Sequence, residues 1–124
     1  MKINPFILML FLFCLSIHGC SEFLVPELDE ASLTINSPKD SLISKEGNIS
    51  FWWEFHPDAD IYQLQVVSPD FDNPSFLFDT LLAQNTFQKK FIDANYLWRI
   101  RMQNEASSSP WQQRSFSVDS TYME

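Results

Sequence analysis

The sequence predicts an all-β domain, a seven-stranded antiparallel β-sandwich, and three observations lead to that prediction. From residue 33 onward, apolar and polar residues alternate with a period of two over several short segments. Clusters of Pro, Asp, Asn and Ser separate these segments, and such residues favour turns. No segment of ten or more residues carries apolar side chains at helical spacing, so the pattern favours strands over helices throughout.

The strands are expected to be half-buried, because each alternating segment has one apolar face. The alternation is strongest over 49–53, 62–66, 96–102 and 115–119, and weaker runs over 33–36, 76–82 and 86–91 complete the seven. The buried phase of these segments assigns four aromatic residues to the core: Trp53, Tyr62, Tyr96 and Trp98.

Four pieces of the chain, taken in order, resemble a fibronectin type III domain over residues 33–118. Ile49-Ser-Phe-Trp-Trp53 is similar to the second strand of that family, and the stretch 58–66 is similar to the turn and third strand. Tyr96-Leu-Trp-Arg-Ile-Arg-Met102 resembles the sixth strand, and 109–118 resembles the last. The resemblance implies a two-sheet sandwich in which Trp53 is the core tryptophan and Tyr96 forms a tyrosine corner.

The N-terminal residues 1–19 have the layout of an export signal. Lys2 precedes an apolar run that ends near Leu15, and small residues follow at the expected cleavage point. The stretch Ile17-His18-Gly19-Cys20 resembles the lipobox of bacterial lipoproteins, although His18 stands where a small or aliphatic residue is usual. This resemblance implies that Cys20 is lipidated after cleavage. A plain cleaved signal and a retained anchor remain the alternatives.

The predicted organisation follows from these assignments. It comprises a lipoprotein signal peptide over 1–19, a lipidated N-terminus and acidic tether over 20–32, the sandwich over 33–119 and a C-terminal tail over 120–124. Removal of Lys2 with the signal reduces the 8 basic residues to 7, against 16 acidic ones, a net charge of −9. Such a charge argues against nucleic acid as a partner. Both cysteines, Cys14 and Cys20, precede the sandwich, so we expect no disulfide within it.

The sequence offers little material for catalysis. His56 is the one histidine outside the signal, and it stands beside Pro57 in a predicted turn. Asp70-Phe-Asp-Asn-Pro74 places oxygen ligands at alternate positions, but a proline occupies the next ligand position of a calcium loop and no closing glutamate follows. We therefore expect no enzyme activity, no metal site and no cofactor.

A surplus of aromatic and arginine side chains suggests a binding surface. Trp52 is out of phase with the buried face of its strand, while Arg99 and Arg101 share an outward face of theirs. Phe71 and Trp111 are difficult to place inside one small core, though for Trp111 the alternative is that it covers a sheet edge. Exposed aromatics and arginines are common anchors for protein partners.

These observations favour a lipoprotein of the bacterial cell envelope, anchored to the membrane through Cys20 at the outer membrane or cell surface. Its expected role is that of a non-catalytic, accessory protein-interaction module with an envelope protein as its partner. The alternative is a carbohydrate-binding module that stacks sugars on exposed aromatics such as Trp52 and Trp111.

Overall fold

The computed structural model describes Asn4 and residues 24–123, and these residues form a pair of β-sheets that pack face to face. One sheet has three strands in the order β1-β3-β6, and the other has five in the order β2-β8-β7-β4-β5. The predicted two-sheet sandwich is thus confirmed. Cys20 lies outside the described residues. The strands are β1 (Ile35–Ser37), β2 (Leu42–Ser44), β3 (Asn48–Trp53), β4 (Ile61–Ser68), β5 (Phe76–Leu82), β6 (Thr86–Lys90), β7 (Ala94–Gln103) and β8 (Gln112–Val118).

The period of two in the sequence is visible directly as alternating burial. Along β3, Ile49, Phe51 and Trp53 are buried while the residues between them are exposed. Strand β7 behaves in the same way over its ten residues, and it is paired on both sides, with β4 and with β8, in antiparallel register. Because side chains alternate between the faces of a sheet, this register gives the five-stranded sheet an apolar inner face. Its outer face carries polar residues together with the exposed leucines Leu77 and Leu81.

The strand count differs from the predicted seven because β2 lies in a segment for which no strand was predicted. β1 pairs antiparallel with β3, whereas β2 pairs parallel with β8 in the opposite sheet. Pro38, which lies between them and is fully buried, has no N–H to donate and so interrupts the ladder. Ser41 then adopts a left-handed conformation, with φ of 65°, and its N–H donates to the carbonyl of Ser115 at 2.8 Å.

Aromatic residues make up 7 of the 17 buried hydrophobic residues among those that the structure describes. Trp53, Tyr62, Tyr96 and Trp98, the four residues assigned to it from the sequence, are all buried. Phe51 packs edge-on against Trp98, with 5.1 Å between ring centroids. Among the described residues, the indole N–H groups of Trp53 and Trp98 find no hydrogen-bond acceptor. Their desolvation costs stability, and the large apolar area of the two rings offsets that cost.

The segment preceding the first strand also belongs to the folded domain. Leu28 is completely buried and joins the hydrophobic core. Its N–H donates to Ser107 Oγ at 2.7 Å, and Asn104 Nδ2 donates to the carbonyl of Pro26 at 2.7 Å. Within the stretch 20–32 predicted as a tether, residues from Pro26 onward are therefore docked on the domain. Proline and acidic residues around a single leucine gave no periodicity that would have predicted this docking.

The connections between strands lie at two ends of the sandwich. We call the end with residues 54–60, 83–85 and 104–111 the upper pole, and the end with 45–47, 69–75 and 91–93 the lower pole. The pairing of Ile61 with Gln103 and of Tyr62 with Leu82 brings the upper connections together. No helix among the residues that the structure describes is long and apolar enough to cross a membrane.

Candidate functional site

Four of the five residues predicted to form a binding surface meet on the outer face of the five-stranded sheet. The Arg99 guanidinium carbon lies 4.2 Å from the centroid of the Phe71 ring and 4.4 Å from that of Trp111. The Arg101 guanidinium carbon lies 4.4 Å from the Trp111 ring as well. We call this row, Phe71–Arg99–Trp111–Arg101, the arginine ladder.

Three regions of the fold supply the ladder. Arg99 and Arg101 point outward from β7 because the residues between and beside them, Trp98 and Ile100, point into the core. Trp111 immediately precedes β8, and Phe71 lies in the connection between β4 and β5. Each guanidinium–ring contact of this kind contributes about 0.5–1 kcal/mol at a partly exposed site, so the rings and the arginines hold one another in place.

Hydrogen bonds to two glutamines of β4, which in turn bind a carboxylate of β5, also hold the arginines in place. Arg99 Nε donates to Gln65 Oε1 at 2.7 Å, and Arg101 Nε donates to Gln63 Oε1 at 2.9 Å. The two glutamines in turn donate to the carboxylate of Asp79, at 2.9 Å from Gln65 and 3.1 Å from Gln63. The registers of β4 with β7 and with β5 place Gln65 beside both Arg99 and Asp79.

The ladder therefore presents two guanidinium groups in a fixed orientation. Each uses Nε within the sheet, while within the described region of the chain the terminal nitrogens of Arg99 and Arg101 make no hydrogen bond. A guanidinium fork matches the geometry of a carboxylate and binds it through two parallel hydrogen bonds. Asp79 is the nearby anion, but it reaches the arginines only through the glutamines. The arrangement is suited to recognising carboxylates of a partner.

Trp52 lies on the opposite side of the molecule. It points outward from β3, in the three-stranded sheet, and 47 % of its surface is exposed. A shallow depression of about 480 Å³ beside it is lined by hydroxyl and amide groups of Ser50, Gln84, Thr86 and Gln88. Trp52 and Trp111 therefore cannot contribute to one continuous binding surface, and the five predicted residues divide into the ladder and a separate Trp52 surface.

The polar residues considered for chemistry serve the turns that contain them. His56 Nδ1 accepts the N–H of Asp58 at 3.2 Å. The Asp70 carboxylate accepts the N–H groups of Asp72 and Asn73, at 3.1 and 2.9 Å, which is ordinary turn chemistry for aspartate. Within the described residues, no three His, Cys, Asp or Glu side chains cluster in a way that could hold a metal ion.

Tyr96 forms the corner that its position in the sequence implied. Its hydroxyl donates to the carbonyl of Ile92, four residues earlier, at 2.7 Å. Burial of the phenol, together with the negative charge of Asp93, raises the pKa of Tyr96 above its ordinary value of 10.0, although the bond to Ile92 acts in the opposite direction. The corner is structural, since it ties the connection between β6 and β7 to the core.

Sequence reasoning missed two features of the site. It identified Arg99 and Arg101 as outward residues but did not identify Asp79, because the run 76–82 was only weakly alternating and its register was unknown. It also missed Asn104, whose amide links the upper pole to the N-terminal segment. The available signal for the first was the polar residues at alternate positions of β4 and β7, with Asp79 between two leucines in β5. Nothing in the sequence indicated the second.

Comparison with known proteins shows what this architecture is similar to. No family model and no curated protein matches the sequence. The solution structure of the fn3 domain of human collagen alpha-1(XX) chain is similar, with 9 % identity and a TM-score of 0.53, covering 86 % of this chain and 98 % of that one. The crystal structure of FN3tt matches with 17 % identity and a TM-score of 0.51, covering 79 % and 99 %. At these identities the likeness concerns the fold, and the chain folds as a fibronectin type III-like β-sandwich.

Proposed function

We propose that this protein is a lipoprotein of the bacterial cell envelope whose fibronectin type III-like domain binds another envelope protein through the arginine ladder. The observation that carries the proposal is the ladder itself. The Arg99 guanidinium contacts the rings of Phe71 and Trp111, and that of Arg101 contacts Trp111. Within the described residues, the terminal nitrogens of both arginines make no hydrogen bond. In a chain of net charge −8, a paired and ordered cationic site is unexpected on a surface that serves only solubility.

The chemistry of the ladder favours an acidic partner. Arg99 and Arg101 are two residues apart on one strand, so their side chains emerge about 7 Å from each other. Acidic side chains at alternate positions of an extended segment have the same spacing, and each can accept a bidentate bond. The flanking rings of Phe71 and Trp111 exclude water from the contact, which strengthens it. The proposed module is non-catalytic.

Capture of partners from detergent-solubilised membranes tests this function. The variant Arg99→Gln/Arg101→Gln should lose the captured protein, and capture by the wild type should weaken as salt increases. Arg114→Gln is the matched control, since Arg114 is the remaining arginine and makes no contact with the ladder rings. Equal capture by the ladder variant and by the wild type, with unchanged melting temperatures, would show that the ladder is not the binding site.

A carbohydrate-binding role is the second candidate, and the Trp52 surface favours it. A half-exposed indole flanked by Gln84 and Gln88 offers both a stacking face and hydrogen-bonding groups for a sugar ring. A glycan screen on the folded domain should show binding that disappears in Trp52→Ala and persists in Trp111→Ala. Trp111 is the less suitable platform, because two guanidinium groups already contact its ring.

The envelope location is proposed from the sequence of residues 1–20, with Cys20 as the site of lipidation. The anchor places the domain at the membrane surface, where its partner must also reside. Residues 21–25 would then join the lipid to the docked segment that begins at Pro26.

A further inference from the structure

We infer that the upper pole faces the membrane and that the lower pole points away from it. This inference rests on the proposed lipidation of Cys20 and on one structural fact, the docking of the N-terminal segment at the upper pole. It concerns the orientation of the domain, which the presence of a lipid anchor alone does not determine.

Asn104 fixes the point at which the chain leaves the domain. Its Nδ2 donates to the carbonyl of Pro26 at 2.7 Å and to that of Asp58 at 3.0 Å. Its Oδ1 accepts the N–H groups of Ala106 and Ser107, both at 2.9 Å. One side chain thus joins the N-terminal segment to the two largest connections of the upper pole.

Burial of Leu28 reinforces this attachment. The side chain is inaccessible to solvent, and its N–H donates to Ser107 Oγ in the same connection. Undocking would expose a whole leucine and leave several polar groups of the upper pole without partners, so the segment stays in place when the lipid pulls on it.

The remaining leash is short relative to the domain. Five residues lie between Cys20 and Pro26, and the six steps from one to the other reach at most about 20 Å when fully extended. The ten residues of β7 run between the two poles and span about 33 Å. A leash shorter than the domain and attached at one pole keeps that pole nearest to the anchor.

The exposed residues of the leash are consistent with contact at a lipid surface. Leu24 is 83 % exposed and Val25 is 36 % exposed, in a position directly between the proposed anchor and the domain. Apolar side chains next to a lipid anchor gain free energy by entering the headgroup boundary, which would shorten the free length of the leash further.

This orientation leaves specific surfaces open to partners. The arginine ladder runs along the side of the sandwich, where a protein standing on the same membrane can reach it. The lower pole, which points outward, contains a pocket of about 420 Å³ lined by aromatic rings and two lysines, among them Phe76, Lys89 and Phe91.

Distance-dependent quenching by labelled lipids tests the inference on the full lipidated protein. Engineered single cysteines, Glu105→Cys at the upper pole and Asn73→Cys at the lower pole, are both at exposed positions and would carry the same fluorophore. The labels stay unique because the Cys20 thiol is alkylated and Cys14 leaves with the signal. The protein is inserted into phosphatidylcholine vesicles with a headgroup-linked quencher, so that the acidic domain is not repelled.

We expect the label at position 105 to be quenched more strongly, corresponding to a position about 30 Å closer to the bilayer than that of the label at 73. Equal quenching, or stronger quenching at 73, in protein that floats with the vesicles would overturn the orientation while leaving lipidation intact. Failure to float would instead refute lipidation, and the orientation with it.

Asn104→Ala identifies the cause of any preferred orientation. Loss of the amide should release Pro26 and lengthen the leash, so the difference in quenching between positions 105 and 73 should shrink. Gln113→Ala, on an exposed residue of β8, is the control and should leave the difference unchanged. An undiminished difference in a folded Asn104→Ala protein would show that the bond from Asn104 to Pro26 does not set the orientation.

Discussion

At the scale of single residues, Gly47 is required by the close approach of two backbone segments. The N–H of Phe91 donates to the carbonyl of Gly47 at 2.9 Å, and a Cβ added at Gly47 would lie only 2.7 Å from the carbonyl oxygen of Phe91. Gly47→Ala should therefore displace the backbone between β6 and β7 and lower the free energy of unfolding by roughly 1–3 kcal/mol. Urea denaturation measures this loss, and Glu46→Ala, at the exposed neighbour, should change stability much less.

Ionisation of Tyr96 should make the stability of the domain depend on pH. Its pKa in the folded domain lies above 10.0 because of burial and of Asp93, so the unfolded chain ionises first as pH rises. The tyrosine therefore contributes full stability below about pH 10 and loses it progressively above that value. Tyr96→Phe should lower the free energy of unfolding by about 1 kcal/mol at pH 7, through loss of the bond to Ile92. Between pH 9 and 11, its free energy of unfolding should decline less than that of the wild type.

The control for this comparison of unfolding free energies across pH is Tyr122→Phe, because Tyr122 is 37 % exposed and lies near the C-terminus. Its substitution should leave both the stability at pH 7 and the alkaline decline unchanged. An equal alkaline decline of the free energy of unfolding in wild type and Tyr96→Phe would show that Tyr96 is not its cause.

At the scale of elements, the N-terminal segment behaves as an extension of the core. Leu28→Ala should destabilise the domain by about 2–3 kcal/mol, the lower end of the range for buried leucines, because the hydrogen bonds that the segment makes to Ser107 and Asn104 remain. Leu24→Ala is the matched control: the same change four residues earlier, at 83 % exposure, should alter stability by less than about 0.5 kcal/mol. Thermal melts and hydrogen exchange over residues 27–31 measure both, and equal effects would contradict the docking.

The elements also show where sequence reasoning succeeds and where it stops. Alternation in β3, β4 and β7 was sufficient to predict these strands and their buried faces, because one polar and one apolar side leave a single acceptable register against the core. The change of sheet after Pro38 was not predictable, because the sequence does not show which sheet the three residues of β2 join. For the ladder, the alternation of side chains along the strand identified Arg99 and Arg101 as outward residues. Their contacts with Phe71 and Trp111 depend on the conformations of two connections, which alternation does not encode.

At the scale of the whole molecule, stability and the proposed location depend on separate regions of the chain. Both cysteines precede the sandwich, so its stability comes from packing and hydrogen bonds, as the aromatic core and the docked segment show. The proposed membrane attachment, in contrast, depends on the single thiol of Cys20. A substitution there should therefore change where the protein resides without changing how stably it folds.

Cys20→Ser tests this separation. The variant should lose incorporation of labelled fatty acid and move from the detergent-rich to the aqueous phase on detergent partitioning, because two acyl chains of a diacylglycerol are sufficient for stable anchoring and a serine hydroxyl cannot replace the thiol nucleophile. The melting temperature of the folded domain should be unchanged. Cys14→Ser is the control, since it removes a thiol from the apolar run without removing the acceptor, and it should stay lipidated. Membrane retention of Cys20→Ser, with no fatty acid incorporated by the wild type, would instead indicate a retained apolar anchor over residues 1–19.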